Sequence, residues 1–372
     1  MNEQLQKPTN YKFHSTGQFR NVVRSIREQS TFIGLDGEDN ALFDNTRIIP
    51  TLTYIGTTKL HGTNGSIVLH EDGVISFHSK NNLLGYVKDE EFTLLSDNSE
   101  FAQCMSRRMD SVKEVVDNAI TLVTNQYGSD IRPIKISGEW CGQGIQKGVG
   151  VSYLTKKSFF IFGVKAGETC QQSKQGWLPA WCTECLTTND THFDGIYSIM
   201  DFPTQRIEID FSNPEFSQNK LVEYTEEAEE CCPVSKQLNL KDSEGNPQTL
   251  GEGYVWTPLD PNYCWDSGTW FKTKGKKHSV SKTKSVASVC PEKLNSIQEF
   301  VEYAVTENRL QQGIQVVGLD QKLVGQYIGW VNKDINKEEG DVLEENNLTM
   351  KDVGKFLSNK ARAFYLEKLN IV

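Results

Sequence analysis

No stretch of the 372 residues approaches the length of apolar chain needed to cross a membrane. The first ten residues, Met1 to Asn10, are polar and lack the basic-then-apolar pattern of a secretory signal, so the protein is expected to stay where it is made. Cysteine is too sparse for a disulfide scaffold. Nine cysteines, an odd number, are scattered through a long chain, and they read as free thiols in a reducing compartment, the cytoplasm. Internal repeats and low-complexity tracts are lacking too. Positive charge is in deficit: the formal net charge is −10, which excludes a protein that coats nucleic acid over its whole surface.

What is present is an ordinary globular composition, 37% hydrophobic and 24% charged, in a chain long enough for one large domain and a small one, or for two of ordinary size. Inside this acidic whole lies one basic tract. Between Ser267 and Pro291 there is no acidic residue, yet Lys272, Lys274, Lys276, Lys277, Lys282 and Lys284 all fall there. Cations clustered in an acidic protein mark a place where anions are wanted, although by itself such a tract equally describes a solvated loop.

The patterning predicts an α+β fold dominated by antiparallel sheet over roughly the first 285 residues. Leu52, Tyr54 and Ile55 belong to one strand; Ser66 to His70 and Val74 to His78 form a pair joined by the turn Glu71-Asp72-Gly73. Met109, Val112, Val115, Val116, Ala119, Ile120 and Val123 recur at helical spacing. Pro133 to Trp140 and Phe159 to Val164 read as buried strands, and Gly253 to Trp256 and Thr269 to Lys274 as a further pair. From Glu292 onward the segments turn helical. Thr349, with Asp352 three residues on, caps a helix that places Val353, Phe356, Leu357, Ala361 and Phe364 on one face. The expected division is a first domain over 1–286 and a small all-helical domain over 287–372, with the lysine- and serine-rich stretch 276–289 as the hinge.

One segment carries chemistry. Lys59-Leu-His-Gly-Thr-Asn sets a lysine at a strand end with a glycine three residues on. The bare pattern K-x-x-G recurs at Lys147, Lys272, Lys322, Lys337 and Lys351 and says nothing alone; the longer string and the order of the elements after it are specific. That string resembles nucleotidyltransferase motif I of the RNA ligase 2 family, found in phages and in the RNA-editing ligases of kinetoplastids. Gly138-Glu-Trp-Cys-Gly-Gln-Gly-Ile-Gln-Lys is similar to motif III, Phe159-Phe-Ile-Phe to motif IIIa, Glu252-Gly-Tyr-Val to motif IV and Phe271-Lys-Thr-Lys to motif V. The helical tail, including Val305-Thr-Glu-Asn-Arg, resembles the family's own C-terminal domain, so the resemblance spans roughly residues 50 to 372.

The resemblance implies an ATP-dependent RNA ligase that joins a 3′-hydroxyl to a 5′-phosphate through lysyl-AMP and RNA-adenylate intermediates, at nicks in duplex RNA. It would use ATP with Mg²⁺ or Mn²⁺ and act as a monomer in the cytoplasm, the host's if the source is viral. The helical domain would bind RNA. The chemistry asks for the same residue types. A lysine amine is ordinarily charged and must be neutral to attack phosphorus, so cationic neighbours and partial burial are wanted; Lys272 and Lys274 are the candidates, and they would also hold the α-phosphate. By resemblance Lys59 is the nucleophile, Glu252 stands at the divalent metal, Glu139 accepts from the ribose, and Phe162 stacks on adenine. Leu60, His61 and Asn64 complete the nucleotide site, with Thr63 shaping the loop. Lys272 and Lys274 alternate on their strand and are expected on opposite faces, hence in different roles.

The sequence departs from the family's pattern at two positions. Lys80 stands where the family has an arginine, replacing a planar fork with a point charge. Motif IV normally ends in a lysine, but here Thr257 closes it. Cys182-Thr-Glu-Cys185, with Cys170, Cys231 and Cys232, leaves a zinc site open. Other readings are an ATP-dependent DNA ligase or a capping guanylyltransferase, which share K-x-x-G, and a catalytically inactive protein that binds RNA ends. The string His-Gly-Thr-Asn and the helical tail speak against the first two, and the joint presence of Lys59, Glu139, Glu252, Lys272 and Lys274 against the last.

Overall fold

The computed structural model describes residues 7–13, 16–172, 174–275 and 297–371. Strand β1 (Gly17–Gln18) runs straight into helix α1 (Phe19–Thr31), in which Phe19, Val22, Val23 and Ile26 recur at three- and four-residue intervals and are all buried. After a small ribbon of β2 (Phe32–Leu35) and β3 (Ala41–Phe43) come β4 (Thr51–Lys59), β5 (Thr63–Leu69), β6 (Ile75–Ser79), β7 (Leu83–Lys88) and β8 (Glu91–Leu94). Helices α2 (Phe101–Ser106) and α3 (Met109–Tyr127) precede β9 (Ile134–Cys141) and β10 (Ser158–Ala166). The chain continues through β11 (Trp177–Leu178), α4 (Asn189–Phe193), β12 (Ile196–Ser198), β13 (Gln205–Asp210), α5 (Gln218–Glu230), α6 (Pro233–Gln237), β14 (Gly253–Pro258) and β15 (Phe271–Lys274).

Two sheets result. One has the order β1-β15-β14-β4-β13; the other runs β11-β10-β9-β5-β6-β7-β8, with β12 added beside β10. Every pairing in them is antiparallel except β1 with β15 and β10 with β12, so the sheets are antiparallel-dominant, as the α+β reading expects. The turn at Glu71-Asp72-Gly73 closes β5 onto β6, and Gly73 takes a φ of +83°, a conformation that favours glycine. Helix α3 lays Val112, Val115, Val116, Ala119 and Val123 against Ile67, Ile134 and Ile136 of the larger sheet. Helices α1 and α5 cover the smaller one, with Ile26 and Leu221 against Tyr54 and Trp256.

The tail comprises α7 (Ile297–Ala304), α8 (Glu307–Val317), α9 (Val324–Glu338), α10 (Gly340–Glu345) and α11 (Met350–Ile371), around a core of its own. Asp352 accepts from the backbone N–H and hydroxyl of Thr349, as the capping pattern requires. The expected face of α11 needs one correction. Val353, Leu357, Ala361 and Tyr365 are buried, whereas Phe356 is 44% exposed. At about 100° per residue, a seam running in steps of four drifts away from a residue three on from its start, so Phe356 falls on the flank.

The tail is tied to the sheets by ions. Arg20 of α1, itself buried, pairs with Asp341 and Glu339, and Lys272 of β15 pairs with Glu338. The expected boundary at 286/287, the hinge and Lys276, Lys277, Lys282 and Lys284 lie outside the described residues. Among those described, no helix is long and apolar enough to cross a membrane.

Candidate active site

Strand β4 ends at Lys59, and after three intervening residues the chain starts β5 in the other sheet, so Lys59 stands at the seam between the two. Register sets what stands beside it. Gly253 of β14 pairs with Lys59 on one side and with Lys274 of β15 on the other, forming one row across three strands. A Cβ on Gly253 would meet the Thr273 carbonyl at 2.2 Å, and the φ of +144° is itself unfavourable for other residues. Glycine therefore lets the row close up and brings the preceding residue, Glu252, between the two lysines.

The Lys59 amine lies 2.7 Å from Glu252 Oε2, and Lys274 lies 2.8 Å from Oε1. His61 Nδ1 stands 3.5 Å from Oε2. Burial works to raise the Glu252 carboxyl, but Lys274, Lys59 and His61 together hold it well below the ordinary carboxylate range. For Lys274 burial works against the charged form, and Glu252 outweighs it and holds the amine above its ordinary value. Glu139 sits across the seam and accepts from the Gly62 N–H at 3.0 Å; burial raises its carboxyl against the pull of Lys59. A Cβ at Gly62 would come within 2.3 Å of the Trp140 carbonyl, which is why the K-x-x-G glycine is needed at this crossing.

Among rows on the same face of the sheet, Lys272 lies in the next one, opposite Val255, which in turn faces Thr57. The expectation of opposite faces is corrected. Residues two apart on a strand share a face, and Phe271 and Thr273 are the buried ones, while Lys272 and Lys274 both stay half-buried on the other side. They differ in partner instead: Lys274 holds Glu252, and Lys272 holds Glu338 at 3.1 Å. Burial and then Lys272 push the Lys80 amine down, placing the lysine that stands where the family has an arginine beside this second cluster. Neither Lys272 nor Lys274 stands as a bare cation beside Lys59; each is matched by a carboxylate.

Leu60 and, more loosely, Phe162 pack into one apolar cluster with Phe160, Val149 and Val151. Phe162 falls where the β9–β10 register slips, and its ring meets Phe13 edge-on at 5.5 Å. Asn64 pairs across strands with Glu139 and donates to the Gly138 carbonyl at 3.4 Å, and its buried Oδ1 has no partner. Thr63 opens β5 opposite Trp140. Thr257 is buried opposite Ile55, two rows from Lys59, with its hydroxyl unpaired.

Among the described residues the cysteines do not converge on one site. Cys170 is buried against Tyr11 and Val68, Cys185 is exposed, and Cys232 packs with Leu60. Among the described residues no group of three or more His, Cys, Asp or Glu side chains could hold a metal by itself. A Mg²⁺-type ion needs less, since it takes one or two carboxylates and completes its shell with phosphate oxygens and water. Glu252, a hard oxygen donor at the centre of the cluster, fits that demand.

Two residue sets of this region carry no local sequence signal as a site. Glu338 ends a tail helix in a run of charges, and only the fold brings it to Lys272. Asn308, Gln311, Gln312 and Gln315 of α8 face His61, Glu252 and Lys274 across a cleft of about 260 Å³. Their helical spacing is visible in the sequence, but its target is not.

A family model for RNA ligases matches residues 52–274, the stretch that contains every residue of the Lys59 row. No curated protein matches the chain in sequence. Among solved structures, the chain is similar to Naegleria gruberi RNA ligase with pyrophosphate, at 13% identity and a TM-score of 0.41, over 72% of this chain and 57% of that one. A mutant of that ligase with AMP and Mn and another with ATP and Mn match at the same identity, coverage and TM-score. The chain thus spans less than two thirds of the length of that enzyme.

Proposed function

The chain belongs to the RNA ligase family, and from that premise we propose that it is an ATP-dependent RNA ligase, which joins 3′-hydroxyl and 5′-phosphate ends through lysyl-AMP and RNA-adenylate. Its working setting would be the cytoplasm, as a monomer, at nicks in duplex RNA. The observation that supports this reading best is the row in which Lys59 and Lys274 flank Glu252 at 2.7 and 2.8 Å.

Lys59 is the nucleophile. Its neutral amine forms a P–N bond to the α-phosphorus of ATP as the bond to the β-phosphate oxygen breaks, and pyrophosphate leaves with that electron pair. An amine that grips a carboxylate cannot attack, so Lys59 must leave Glu252 before the step. Lys274 stays on the same face, where its charge offsets the negative charge that grows on the phosphoryl oxygens. Glu252 is the residue that would hold a divalent ion, whose chemistry is to neutralise phosphate oxygens. Leu60 and Phe162 offer an apolar wall for adenine, and Glu139 an acceptor for ribose. In the second step a 5′-phosphate oxygen of RNA displaces Lys59 and takes the AMP. In the third the 3′-hydroxyl, losing its proton, attacks that phosphate and releases AMP.

The domain reading is likewise a proposal: residues 1–286 carry adenylyl transfer and 287–372 grip RNA. The deciding experiment incubates the protein with radiolabelled ATP and a divalent cation, then adds a nicked RNA duplex. Label on the wild-type chain, none on Lys59→Ala, and release of the label by the duplex support the reading. Labelling of Lys59→Ala as full as wild type would overturn it, and equal labelling by GTP would point to a capping-type enzyme.

A further inference from the structure

The segment 10–13 forms neither strand nor helix, yet it is pinned at every residue. Asn10 donates to the Asn81 carbonyl at 2.8 Å, and Tyr11 is buried against Val68 and Cys170. Lys135 of β9, itself buried, donates to the carbonyls of Tyr11 and Lys12 at 3.2 and 2.8 Å. The Phe13 N–H donates at 2.8 Å to the carbonyl of Lys80, in the turn between β6 and β7. With its backbone fixed in this way, Phe13 carries its ring to one place, edge-on to Phe162 at 5.5 Å and to Trp177 at 5.7 Å. Trp177 is held in turn: its ring lies 5.6 Å from that of Trp270, and the Lys165 amine stands over it at 4.8 Å. Phe13 therefore presses Phe162 from a backed position.

Phe162 needs that support. In β10, Ile161 pairs with Gly138 and Gly163 with the next residue of β9, Ser137, so Phe162 between them is the extra residue of a bulge. The strands on the other edge stop short of it as well: β12 pairs up to Ile161, and β11 pairs from Val164 onward. A side chain at such a point takes its direction from what packs against it, and an edge-on aromatic neighbour fixes the tilt of a ring as well as its place. Phe162 is only half-buried, so part of its ring stays open to a ligand. We propose that Phe13 is a positioning residue for the nucleotide, holding the Phe162 ring in the orientation that receives adenine. Phe13 precedes residues 52–274, where the family model matches, so that match assigns it no role. This inference rests on the ligase reading, with Phe162 as part of the adenine wall.

The test uses the full chain and the variants Phe13→Ala, Phe13→Leu, Phe13→Tyr, Phe162→Ala and the double alanine variant, each checked by thermal melting. The maximal rate of self-labelling and the ATP concentration that half-saturates it are measured for each. Phe13→Ala should raise the half-saturating ATP about three- to tenfold, the worth of one aromatic pair, and keep the maximal rate within about twofold. Phe13→Leu, which fills the space without a ring, should shift it in the same direction, and Phe13→Tyr should restore it. Phe162→Ala should raise it at least as much, and the double variant no further than Phe162→Ala alone, because Phe13 acts through that ring. A wild-type half-saturation in Phe13→Ala, or in Phe13→Leu if the alanine variant does not fold, reduces Phe13 to ordinary packing and overturns the inference. So does a double variant in which the two losses multiply, or a fall in maximal rate alone. Phe162→Ala that labels as wild type does removes the adenine wall and this inference, while the ligase reading stands. A wild type that takes no label from ATP overturns the ligase reading, and this inference with it.

Discussion

Lys59 and Glu252 are 193 residues apart along the chain and 2.7 Å apart in space. The same carboxylate also holds Lys274, so one anion sets the positions of two cations. Glu252→Gln keeps the shape and removes the charge. Self-adenylylation at saturating divalent ion should fall about thirty- to a thousandfold, the roughly 2 to 4 kcal/mol attached to one electrostatic group at a reacting centre. Initial rates of label transfer from ATP check this, and a wild-type rate would remove Glu252 from the site.

Lys274 stands in the Lys59 row and Lys272 one row away on Glu338, so their alanine variants should differ. Lys274→Ala is expected to lose about thirty- to a thousandfold in self-adenylylation, again the roughly 2 to 4 kcal/mol of a single donor. Lys272→Ala should lose less in that step. Separate assays of self-labelling and of sealing a pre-adenylylated strand resolve the two, and near-wild-type rates for both variants in both assays would mean that neither lysine serves the reaction.

His78 in β6 is fully buried, bonded to Ser76, and burial, then Lys135, pushes its imidazole down to about 3. The unfolded chain takes up that proton near pH 6.5, while the folded one does not. A depressed group contributes stability above its unfolded value and loses it as pH falls toward the folded one. Between pH 7 and pH 5 this histidine should account for about 2 kcal/mol of lost stability, at 1.36 kcal/mol per unit. Denaturant melts of wild type and His78→Asn at both pH values give the difference; equal pH sensitivity in the two proteins would contradict it.

Arg309 has no exposed side chain and binds Glu339, which is equally buried, and Asp334. Arg309→Met leaves Glu339 with one cation fewer, Arg20 alone. Breaking a buried ion pair from one side costs about 3 to 5 kcal/mol, so the tail should melt well below wild type in a thermal scan monitored by helical circular dichroism. An unshifted transition would show that Arg20 suffices.

Much of this fold is legible in the sequence because it is local. The turn at Gly73, the helix from Met109 and the cap at Thr349 each depend on residues within a few positions of one another. The α+β reading rests on them. Phe356 escapes such reading because four-residue steps drift around a helix, and the shared face of Lys272 and Lys274 comes from the plain two-residue period of a strand, with no twist or bulge to part them. Helix α1 is patterned too, in Phe19, Val22, Val23 and Ile26, but its value lies in Arg20, whose partners are more than three hundred positions away. Glu338 cannot be found from local pattern at all: a glutamate at a helix end is ordinary until the fold sets it beside Lys272.

The row at the seam also fixes an order in time. The larger sheet takes its main strands, β5 to β10, from one continuous stretch, so a ribosome can release it early. The smaller sheet cannot close until residue 274 has emerged, since β15 lies between β1 and β14. At about 5 to 20 residues per second, Glu252 emerges after Lys59 by roughly ten to forty seconds. During that interval a nascent chain can pair β4 with β13 but not yet with β14, so Lys59 stands at the end of a strand with one neighbour, with neither the carboxylate nor the second lysine yet made. Truncated products of interrupted translation would therefore be well packed in their first half and chemically silent.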